Sequence, residues 1–517
     1  MAQERRAVVV GIDDYLDPEG ILSDLDGAVN DARDLAGTFR AIGMTDITVL
    51  LDGEARRPAI LTAWRDALER SEAGDTLFLT YAGHGMQRVA GADSDEDDDH
   101  DEFLALHGFE REGPGRSDFV LDDEIDAFVR RAAERDVQVV LVIDACHSGT
   151  AFRSVDRRVK PRYRFSGVKI EGDLFAEGET DDLFAGLDQP QEQELATAIP
   201  DNLASFAAVL DDQLVPEIPL PDADGRAVPR GAMSYFFSRG LRGAADVDGD
   251  GRISFLEMKR YVVRNINFET QGAQIPNVVD AEDGQERVLF AHSRATVVSP
   301  PPDREILIAV IGGGEAGPPD LEGARVVELS GTPDIVWDAG RAEVVSGIDT
   351  IVARDISADR LQGVVDKVRA RSRLSAMAET HSLDITVKPE KPIYSKGEVV
   401  EISIRDIGHP YLTLVNLAND GTVQFLYPLS PEEAQPHDVA VPMELGGVDV
   451  SGPFGADLLI ALATDQPPSR LVAELEALDG RVAPLEVPGT FRKWLSGVPY
   501  RMGLLSFDCC DGEGVPC

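Results

Sequence analysis

The sequence has few basic residues beside its acidic ones, and it has few cysteines. Its 517 residues include 49 Lys and Arg against 93 Asp and Glu, which gives a formal net charge of −44. Such a charge repels nucleic acids and anionic membranes and attracts cations and basic peptides. The four cysteines, Cys146, Cys509, Cys510 and Cys517, are too few for a disulfide framework. We therefore expect no nucleic-acid or membrane partner, unpaired thiols in the tail and a cytoplasmic location.

Long apolar runs are also absent. None approaches the roughly 20 residues that cross a bilayer, and the run at residues 7–12 is too short for a signal sequence. The chain is nevertheless 43% hydrophobic, which is too apolar for a disordered acidic protein. At roughly 100–200 residues per domain, we expect a soluble protein of two to four domains.

Residues 6–150 alternate between short β-branched runs and amphipathic stretches. Nearly continuous apolar runs predict strands at 7–12, 47–51, 76–81 and 137–143. Helical periodicity predicts helices at about 26–42, 57–71 and 122–135. Alternation of this kind is typical of βαβ units, and continuous apolar strands are typical of a sheet covered on both faces. The predicted fold class is α/β, with a mostly parallel sheet flanked by helices.

Changes in composition divide the chain into three predicted parts. Residues 1–296 form the first domain, in which a long loop at about 152–204 interrupts the α/β pattern. A run of prolines then opens a linker and mixed connecting region at 297–380. Residues 381–517 contain alternating runs and the hairpin signal Asn419-Asp420-Gly421, which predict a β-rich, sandwich-like C-terminal domain.

Two loops follow buried strands of the predicted sheet, at the edge where parallel sheets place their ligands. One contains His84 and Gly85, and the other contains Cys146. A Cys beside an imidazole can act as a nucleophile, and the N–H groups of Gly85 and Cys146 can form an oxyanion hole. Taken singly, each side chain has a structural alternative, namely a capping His and a small buried Cys.

The pairs His84-Gly85 and Ala145-Cys146 resemble those of caspase-like cysteine peptidases, with His and Cys 62 residues apart. The sequence Asp144-Ala-Cys-His-Ser-Gly resembles metacaspases and their bacterial relatives, the orthocaspases, over about residues 5–292. The resemblance implies a caspase-like fold and a Cys146–His84 dyad. It extends to a C-terminal domain of unknown function that is often appended to the bacterial proteins.

In metacaspases two carboxylates line the primary pocket. The matching residues are Asp144 and Asp31, the latter within Gly27-Ala-Val-Asn-Asp-Ala. Two carboxylates suit a guanidinium or ammonium group and repel an acidic side chain. The resemblance therefore implies cleavage after Arg or Lys, although Asp31 has the alternative of an exposed position on its helix.

The same family has an acidic loop after the catalytic His. One Asp of this loop and a later Asp pair, before the next helix, bind activating Ca²⁺. The matching residues are Asp101, Asp122 and Asp123. A further family ligand falls on Arg153, so that site is incomplete unless Asp156 replaces it. The alternative for the run of acids at 93–102 is a solvated loop.

Residues 246–257 fit the EF-hand calcium loop, which needs oxygen ligands at fixed positions and Gly at the sixth. The residues matching ligand positions are Asp246, Asp248, Asp250, Arg252 through its carbonyl, Ser254 and Glu257. Only one copy occurs in the sequence, whereas EF-hands usually pair. A degenerate structural loop is the alternative.

A basic stretch follows Cys146, where the two portions of a caspase-like fold are joined. Its candidate processing residues are Arg153, Arg157, Arg158, Lys160, Arg162 and Arg164. A peptidase that selects basic residues can cut such a loop. We therefore expect a zymogen cleaved there, by itself or by an upstream protease. The alternative is a charged surface loop.

These inferences predict a cysteine endopeptidase that cleaves protein substrates after Arg or Lys and is activated by Ca²⁺, by proteolysis or by both. We expect a monomer without an organic cofactor. The resemblance also implies a place in a bacterial stress, cell-death or antiphage cascade, including CRISPR-linked ones. The alternative function is a catalytically idle signalling scaffold that binds Ca²⁺ and partners.

Overall fold

A computed structural model gives the fold. It describes residues 3–511 apart from 17–19, 90–99, 111–116, 147–157, 159–161, 165–199, 210–213, 223–225, 248, 281–286, 292–303, 313–318, 331–332, 380, 390, 392, 406, 431–432 and 440. Most of the predicted loop at 152–204 is thus outside the described residues. So are three of the processing candidates, Arg153, Arg157 and Lys160, and the EF-hand position Asp248.

The first part of the chain alternates strands and helices much as predicted. Its strands are β1 (Arg5–Gly11), β2 (Asp46–Leu51), β3 (Thr76–Ala82), β4 (Gly85–Val89), β5 (His100–Ala105), β6 (Phe119–Leu121), β7 (Gln138–Asp144), β8 (Leu203–Ala207), β9 (Ile218–Pro221), β10 (Ala227–Arg230), β11 (Arg252–Ser254), β12 (Asn277–Asp280) and β13 (Val288–Ala291). Its helices are α1 (Ala28–Ala41), α2 (Arg57–Arg70), α3 (Asp122–Ala133), α4 (Ala232–Arg239) and α5 (Phe255–Thr270).

Six strands form the main sheet of this part in the order β12-β8-β7-β3-β1-β2. All neighbouring pairs are parallel except β12 and β8 at one edge. Three of the four predicted strands, β1, β3 and β7, are central and buried on both faces, as their continuous apolar sequences require. The fourth, β2, is half-buried at the other edge. The prediction of a mostly parallel sheet flanked by helices is confirmed.

Two hydrophobic cores lie on opposite faces of this sheet. One contains Trp64 of α2 and Phe128 of α3, and the other contains Phe39 of α1, Phe237 of α4 and Met258 of α5. Because both faces of the sheet are covered, a polar ligand is expected to bind at the carboxyl edge of the parallel strands. His84 and Cys146 follow strands that end at this edge.

The sequence did not predict the antiparallel sheet β4-β5-β6, which follows β3 directly. Its short strands flank the acidic run that dominates the local composition, and this run hides their period-two pattern. The small sheet matters for the site because β4 begins at Gly85 and so fixes the chain on the C-terminal side of His84.

Residues 306–510 form a second set of elements. The strands are β14 (Ile306–Ile311), β15 (Ala324–Val326), β16 (Ile335–Asp338), β17 (Glu343–Ser346), β18 (Ile351–Ala353), β19 (Asp384–Lys388), β20 (Ile393–Ser395), β21 (Val399–Arg405), β22 (Tyr411–Leu417), β23 (Val423–Tyr427), β24 (Met443–Asp449), β25 (Gly455–Thr464) and β26 (Tyr500–Cys510). The helices are α6 (Leu361–Ala378), α7 (Ser469–Glu476) and α8 (Glu486–Leu495).

A large mixed sheet carries this second part, and its members are β14 to β18, β20, β22, β23, β25 and β26. The sheet β19-β21-β24 packs on one face through apolar residues such as Ile404 and Leu414. The helices α6, α7 and α8 cover another core through Leu374, Leu475 and Phe491. The β-rich, sandwich-like class is confirmed. The strands also join residues on both sides of the predicted boundary near 380, and that boundary stays a prediction.

Two local features of the second part were open to test. The hairpin predicted at Asn419-Asp420-Gly421 is confirmed, since β22 and β23 pair antiparallel around it and Gly421 has φ +88°.

Cys509 is a buried free thiol, but Cys510 is disulfide-bonded, so the expectation of unpaired tail thiols was wrong for Cys510. Cys517 lies outside the described residues. Among the described helices, none has the length and apolarity that a membrane span requires.

Candidate active site

The sheet register sets the positions of His84 and Cys146. Strands β3 and β7 are neighbours and parallel, and Ala82 is paired with Asp144 at their carboxyl ends. His84 and Cys146 each follow by two residues. Because two parallel neighbours in register end at the same height, the two loops leave the sheet side by side.

His84 is buried and held by groups that the sequence did not point to. Its Nε2 lies 2.7 Å from the carbonyl oxygen of Ser23. Its backbone N–H donates to the Tyr15 hydroxyl at 2.8 Å, and its carbonyl accepts from the Tyr81 hydroxyl at 2.8 Å. The ring of Tyr15 packs against the imidazole with centroids 4.9 Å apart. These contacts fix both the backbone and the ring of His84.

The carbonyl of Ser23 determines which imidazole nitrogen holds the proton. A carbonyl oxygen can only accept, so Nε2 must donate to it and carry hydrogen. In a neutral ring Nδ1 is then the basic nitrogen. Ser23 therefore orients His84 so that Nδ1 is able to take a proton from a thiol.

Cys146 is buried beneath a backbone segment. Its Sγ accepts a hydrogen bond from the N–H of Val215 at 2.7 Å, and the residue has no exposed surface. Burial raises the pKa of the Cys146 thiol to about 12. The hydrogen bond from Val215 and the charge of Arg164 oppose this rise only in part. At neutral pH the sulfur is thus a thiol, and it becomes a good nucleophile only when solvent or a base reaches it.

The N–H groups of Gly85 and Cys146 converge on one carbonyl oxygen, that of Arg164. Their nitrogen atoms lie 3.2 Å and 3.3 Å from this oxygen. A Cβ on Gly85 would come within 1.6 Å of the carbonyl oxygen of Cys146, so only glycine allows the approach. The two donors that the sequence predicted for an oxyanion hole hold a peptide carbonyl of the chain itself.

The side chain of Arg164 is fully buried among three carboxylates. Its Nη2 donates to Asp31 Oδ2 at 2.5 Å and lies 3.4 Å from Glu217 Oε1. Its Nη1 lies 3.0 Å from Asp144 Oδ1 and donates to the Asp144 carbonyl at 2.9 Å. The structure thus brings Asp31 and Asp144 together around a guanidinium group. Asp31 is 1% exposed, so the alternative of an exposed helix position was wrong.

Backbone donors complete the solvation of these carboxylates. Asp31 Oδ2 also accepts from the N–H of Gly231 at 2.9 Å, and Asp144 Oδ2 accepts from the N–H of Ser234 at 2.7 Å. A Cβ on Gly231 would meet Asp144 Oδ2 at 2.2 Å. Burial raises the pKa of Asp31, and the Arg164 guanidinium opposes the rise. The start of α4 therefore builds one wall of the pocket.

Glu217 is the pocket residue that the sequence did not predict. Its two oxygens accept from the N–H groups of Asp26 and Gly27, both at 2.9 Å, while Oε1 faces Arg164. No motif surrounds Glu217 in the sequence, and it lies 53 residues from Arg164. Only the folded chain brings it to the pocket.

The segment 162–164 binds in the cleft as an extended strand. The N–H of Arg164 donates to the carbonyl of Val215 at 3.0 Å, and the N–H of Glu217 donates to the carbonyl of Arg162 at 2.9 Å. Tyr163 and Pro216 form an antiparallel bridge between them. This is β-strand addition, the mode in which many proteins bind peptides.

Residues 5–154 match the family model described as metacaspase, peptidase C14 domain. Similar proteins include Metacaspase-1 of Pyricularia oryzae, which is 27% identical over 273 residues, covering 46% of this chain and 64% of that protein. Metacaspase III c of Phaeodactylum tricornutum is 32% identical over 153 residues, covering 28% of this chain and 43% of that protein. The chain thus spans less than two thirds of the curated relatives it matches.

Two solved structures also align with about half of the chain. Protein GSU0716 from Geobacter sulfurreducens is 19% identical with a TM-score of 0.37, covering 56% of this chain and 100% of that one. Caspase-1 from Spodoptera frugiperda is 11% identical with a TM-score of 0.33, covering 54% of this chain and 89% of that one.

The EF-hand-like loop at 246–257 lies outside the residues that match the family model, and its carboxylates accept hydrogen bonds from its own backbone. Asp246 accepts from the N–H groups of Gly249 and Gly251 at 2.9 Å and 3.1 Å, and Glu257 accepts from Val247 at 3.2 Å. Gly251, the sixth position, has φ +81°, which suits the sharp turn of such a loop. The hard oxygen donors fit Ca²⁺.

The loop pairs with a strand of the same domain. EF-hands usually pair through short strands, and here β11 of the loop pairs antiparallel with β13. A second EF-hand copy is therefore not needed to support it. Among the described residues, no three His, Cys, Asp or Glu are grouped as a metal site. Ca²⁺ binding here stays a prediction.

The residues of the other predicted Ca²⁺ site lie on two separate elements, β5 and α3. Asp122 and Asp123 begin α3, where their charges also favour the helix N-terminus. Asp101 is on β5, paired in register with Arg88, and its side chain is outside the described residues. The structure leaves this second Ca²⁺ site untested.

Cys146 should react slowly with iodoacetamide in the intact protein, because alkylation needs an accessible thiolate and this thiol is buried with a raised pKa. We expect labelling at pH 8 to be slower than that of an unfolded control by about 100-fold or more. Mass spectrometry of the peptide containing Cys146 measures this. Arg164→Ala should accelerate labelling, and rapid labelling of the intact wild type contradicts the buried site.

Arg164→Ala in a Cys146→Ala background should lower the free energy of unfolding by about 3 kcal/mol, since it leaves buried carboxylates without their cation. Burial raises the pKa of Asp31 and Arg164 opposes the rise, so the variant should have a still higher folded pKa for this carboxyl. A raised folded pKa contributes stability at low pH that is lost as pH rises. The deficit should thus be larger at pH 8 than at pH 5. Urea unfolding measures it.

The matched control is Arg162→Ala in the same background. Its ion pair is exposed, so the loss should be below about 1 kcal/mol. Equal losses of unfolding free energy in the two variants would show that the buried contacts of Arg164 contribute no more to stability than the exposed ion pair of Arg162.

Ca²⁺ should stabilise the protein through the loop 246–257, by about 2.7 kcal/mol at one hundred times its Kd. The double variant Asp246→Asn/Asp250→Asn removes charges at the first and fifth positions and should abolish the effect. Arg252→Ala is the control, because the seventh position uses a backbone carbonyl. Thermal unfolding with Ca²⁺ and with EDTA measures the shift, and an unshifted wild type contradicts the site.

Proposed function

We propose that this protein is a cysteine endopeptidase that cleaves proteins after Arg, and after Lys more weakly, and that it is made as a zymogen. One observation carries the proposal. Arg164 lies between the carboxylates of Asp31, Asp144 and Glu217 while its carbonyl oxygen meets the N–H groups of Gly85 and Cys146. A substrate residue must make both contacts at once. Arg164, a residue of the chain itself, makes both of them.

In the proposed reaction Cys146 Sγ attacks the carbonyl carbon of the substrate Arg. Nδ1 of His84 takes the thiol proton, because Nε2 is committed to Ser23. The N–H groups of Gly85 and Cys146 stabilise the oxyanion that forms. His84 then returns the proton to the leaving amine, and water, deprotonated by the same imidazole, hydrolyses the acyl-enzyme to release the acid and free the thiol.

The pocket geometry supports a preference for Arg over Lys. Two guanidinium nitrogens make separate contacts with Asp31 on one side and Asp144 on the other, in addition to the Asp144 carbonyl. An ammonium group is a single point and cannot span both sides. An acidic side chain would face three carboxylates, so cleavage after Asp is excluded.

The same contacts support a zymogen. While 162–164 fills the cleft, no other peptide can pair with residues 215–217, and the thiol stays dry. A second contact anchors this loop to the C-terminal part. The Arg158 guanidinium lies 2.5 Å from Glu343 Oε2 and 3.3 Å from Asp349 Oδ1, and all three side chains are mostly buried. We propose that cleavage between Arg164 and Phe165, by Cys146 or by an upstream protease, releases the block.

Ca²⁺ is proposed to act through α4. The N–H of Ser234 in the first turn of α4 holds Asp144. The helix is followed by a π-helical turn at Gly240–Ala244, kinked at Gly243, which ends two residues before Asp246, the first residue of the EF-hand-like loop. A cation that orders this loop would fix the far end of the helix that forms the pocket wall. Participation in a bacterial stress, cell-death or antiphage cascade is part of the proposal and rests on the family resemblance.

The test is incubation of the full chain with Ca²⁺, followed by SDS gel electrophoresis and mass spectrometry of the fragments. We expect a new N-terminus at Phe165 and hydrolysis of an Arg-terminated fluorogenic peptide by the cut protein. Cys146→Ala should give neither. Arg164→Ala should shift or abolish the cut, whereas Arg164→Lys should only slow it.

The outcomes separate the candidate functions. If an added upstream protease is needed for the cut, self-processing fails but the peptidase remains. If neither the intact nor the cut protein hydrolyses the peptide, the protein is not this enzyme, and the alternative of an idle Ca²⁺-binding scaffold is favoured.

A further inference from the structure

We infer that the site selects Arg at two positions, so that its preferred cleavage motif is Arg-X-Arg, and that Asp26 is the specificity-determining residue for the first of these. The inference deepens the proposed function and rests on it. The segment bound in the cleft reads Arg162-Tyr163-Arg164, and both of its arginines meet acceptors of the protein.

Arg162 meets a second binding position, which we call the outer subsite and define by the Asp26 carboxylate and the Asp24 carbonyl. Arg162 Nε lies 2.7 Å from Asp26 Oδ2. Its Nη1 donates to the carbonyl of Asp24. A guanidinium donates to the carboxylate and to the carbonyl from two separate nitrogens, whereas a Lys must make both contacts from one nitrogen and an apolar side chain makes neither.

The strand conformation of the segment supplies the spacing. Side chains at alternate positions of an extended chain point to the same side, so Arg162 and Arg164 share one side and Tyr163 takes the other. Hydrogen bonds with Val215 and Glu217 set this register, and they involve only backbone atoms of the bound segment. Any substrate that pairs with 215–217 will therefore present its third residue before the cut to Asp26.

The outer subsite is attached to the primary pocket. The Asp26 N–H donates to Glu217 Oε2 at 2.9 Å, and the Asp26 carbonyl accepts from Asn30 Nδ2 at 3.1 Å. Glu217 therefore contacts Arg164 in one direction and positions the backbone of Asp26 in the other. Replacing the Asp26 carboxylate leaves these backbone contacts in place, which makes Asp26 separable from the primary pocket.

The test compares two fluorogenic peptides, Arg-Tyr-Arg and Ala-Tyr-Arg, with the leaving group after the last Arg. The full chain is first incubated with Ca²⁺ until it is cut. Because the Asp26 and Arg162 side chains are 51% and 44% exposed, we expect a modest preference in kcat/KM, about two- to fivefold for the first peptide. Asp26→Asn should lower kcat/KM for Arg-Tyr-Arg relative to Ala-Tyr-Arg and so bring the ratio to about one.

Asp66→Asn is the matched control. Asp66 is also 51% exposed and its replacement changes the net charge equally, but it lies on α2 and pairs weakly with Arg65. It should keep the wild-type ratio, because a general loss of negative charge is not the cause. In the reverse design, Asp26→Lys should favour Glu-Tyr-Arg over Arg-Tyr-Arg.

The results distinguish this inference from the proposed function. If the wild type hydrolyses both peptides equally, the outer subsite does not select and the inference is wrong while the peptidase stands. A preference that survives Asp26→Asn also overturns it. If neither peptide is hydrolysed, the proposed function fails and the inference falls with it.

Discussion

The contact of the buried Arg164 guanidinium with three carboxylates is the interaction on which the rest of the candidate active site depends. Taking a charge out of water costs several kcal/mol, and the cost is offset only when every partner is in place. Here the partners come from α1 (Asp31), the end of β7 (Asp144) and the segment before β9 (Glu217). Each carboxylate also accepts N–H groups from other segments, so one side chain fixes the relative positions of elements far apart in sequence.

Arg164 also connects the proposed substrate specificity with the proposed inactivity of the intact chain. With its side chain in the pocket, its carbonyl lies at the two N–H groups that would stabilise an oxyanion, and residues 215–217 close over the thiol. A dry thiol with a raised pKa is a poor nucleophile. In the proposed function, the contacts that bind a basic substrate are therefore also the contacts that keep the intact chain inactive. Arg158, held by Glu343 and Asp349, extends this restraint to the C-terminal part.

Much of the fold was predictable because its central elements obey simple periodicity. The runs near 7–12, 76–81 and 137–143 are buried on both faces, which makes them visible as apolar sequence. The sheet β4-β5-β6 was missed because an acidic run interrupts it. The strands on either side of residue 380 share a sheet through the long-range pairing of β18 with β25, and local composition cannot reveal such pairing.

The sequence by itself determined the residue types of the site. His84, Gly85, Asp144 and Cys146 lie next to strand ends, so a local motif and a strand pattern were enough to find them. Asp31 needed a family resemblance, and six basic residues remained equal candidates for processing. Only the tertiary structure decided that Arg164 fills the pocket, that Glu217 completes it and that Ser23 orients His84. The reason is physical: the contacts of Arg164 join residues up to 133 positions apart and those of Glu217 up to 191, and burial of charge selects one partner set among many that the sequence allows.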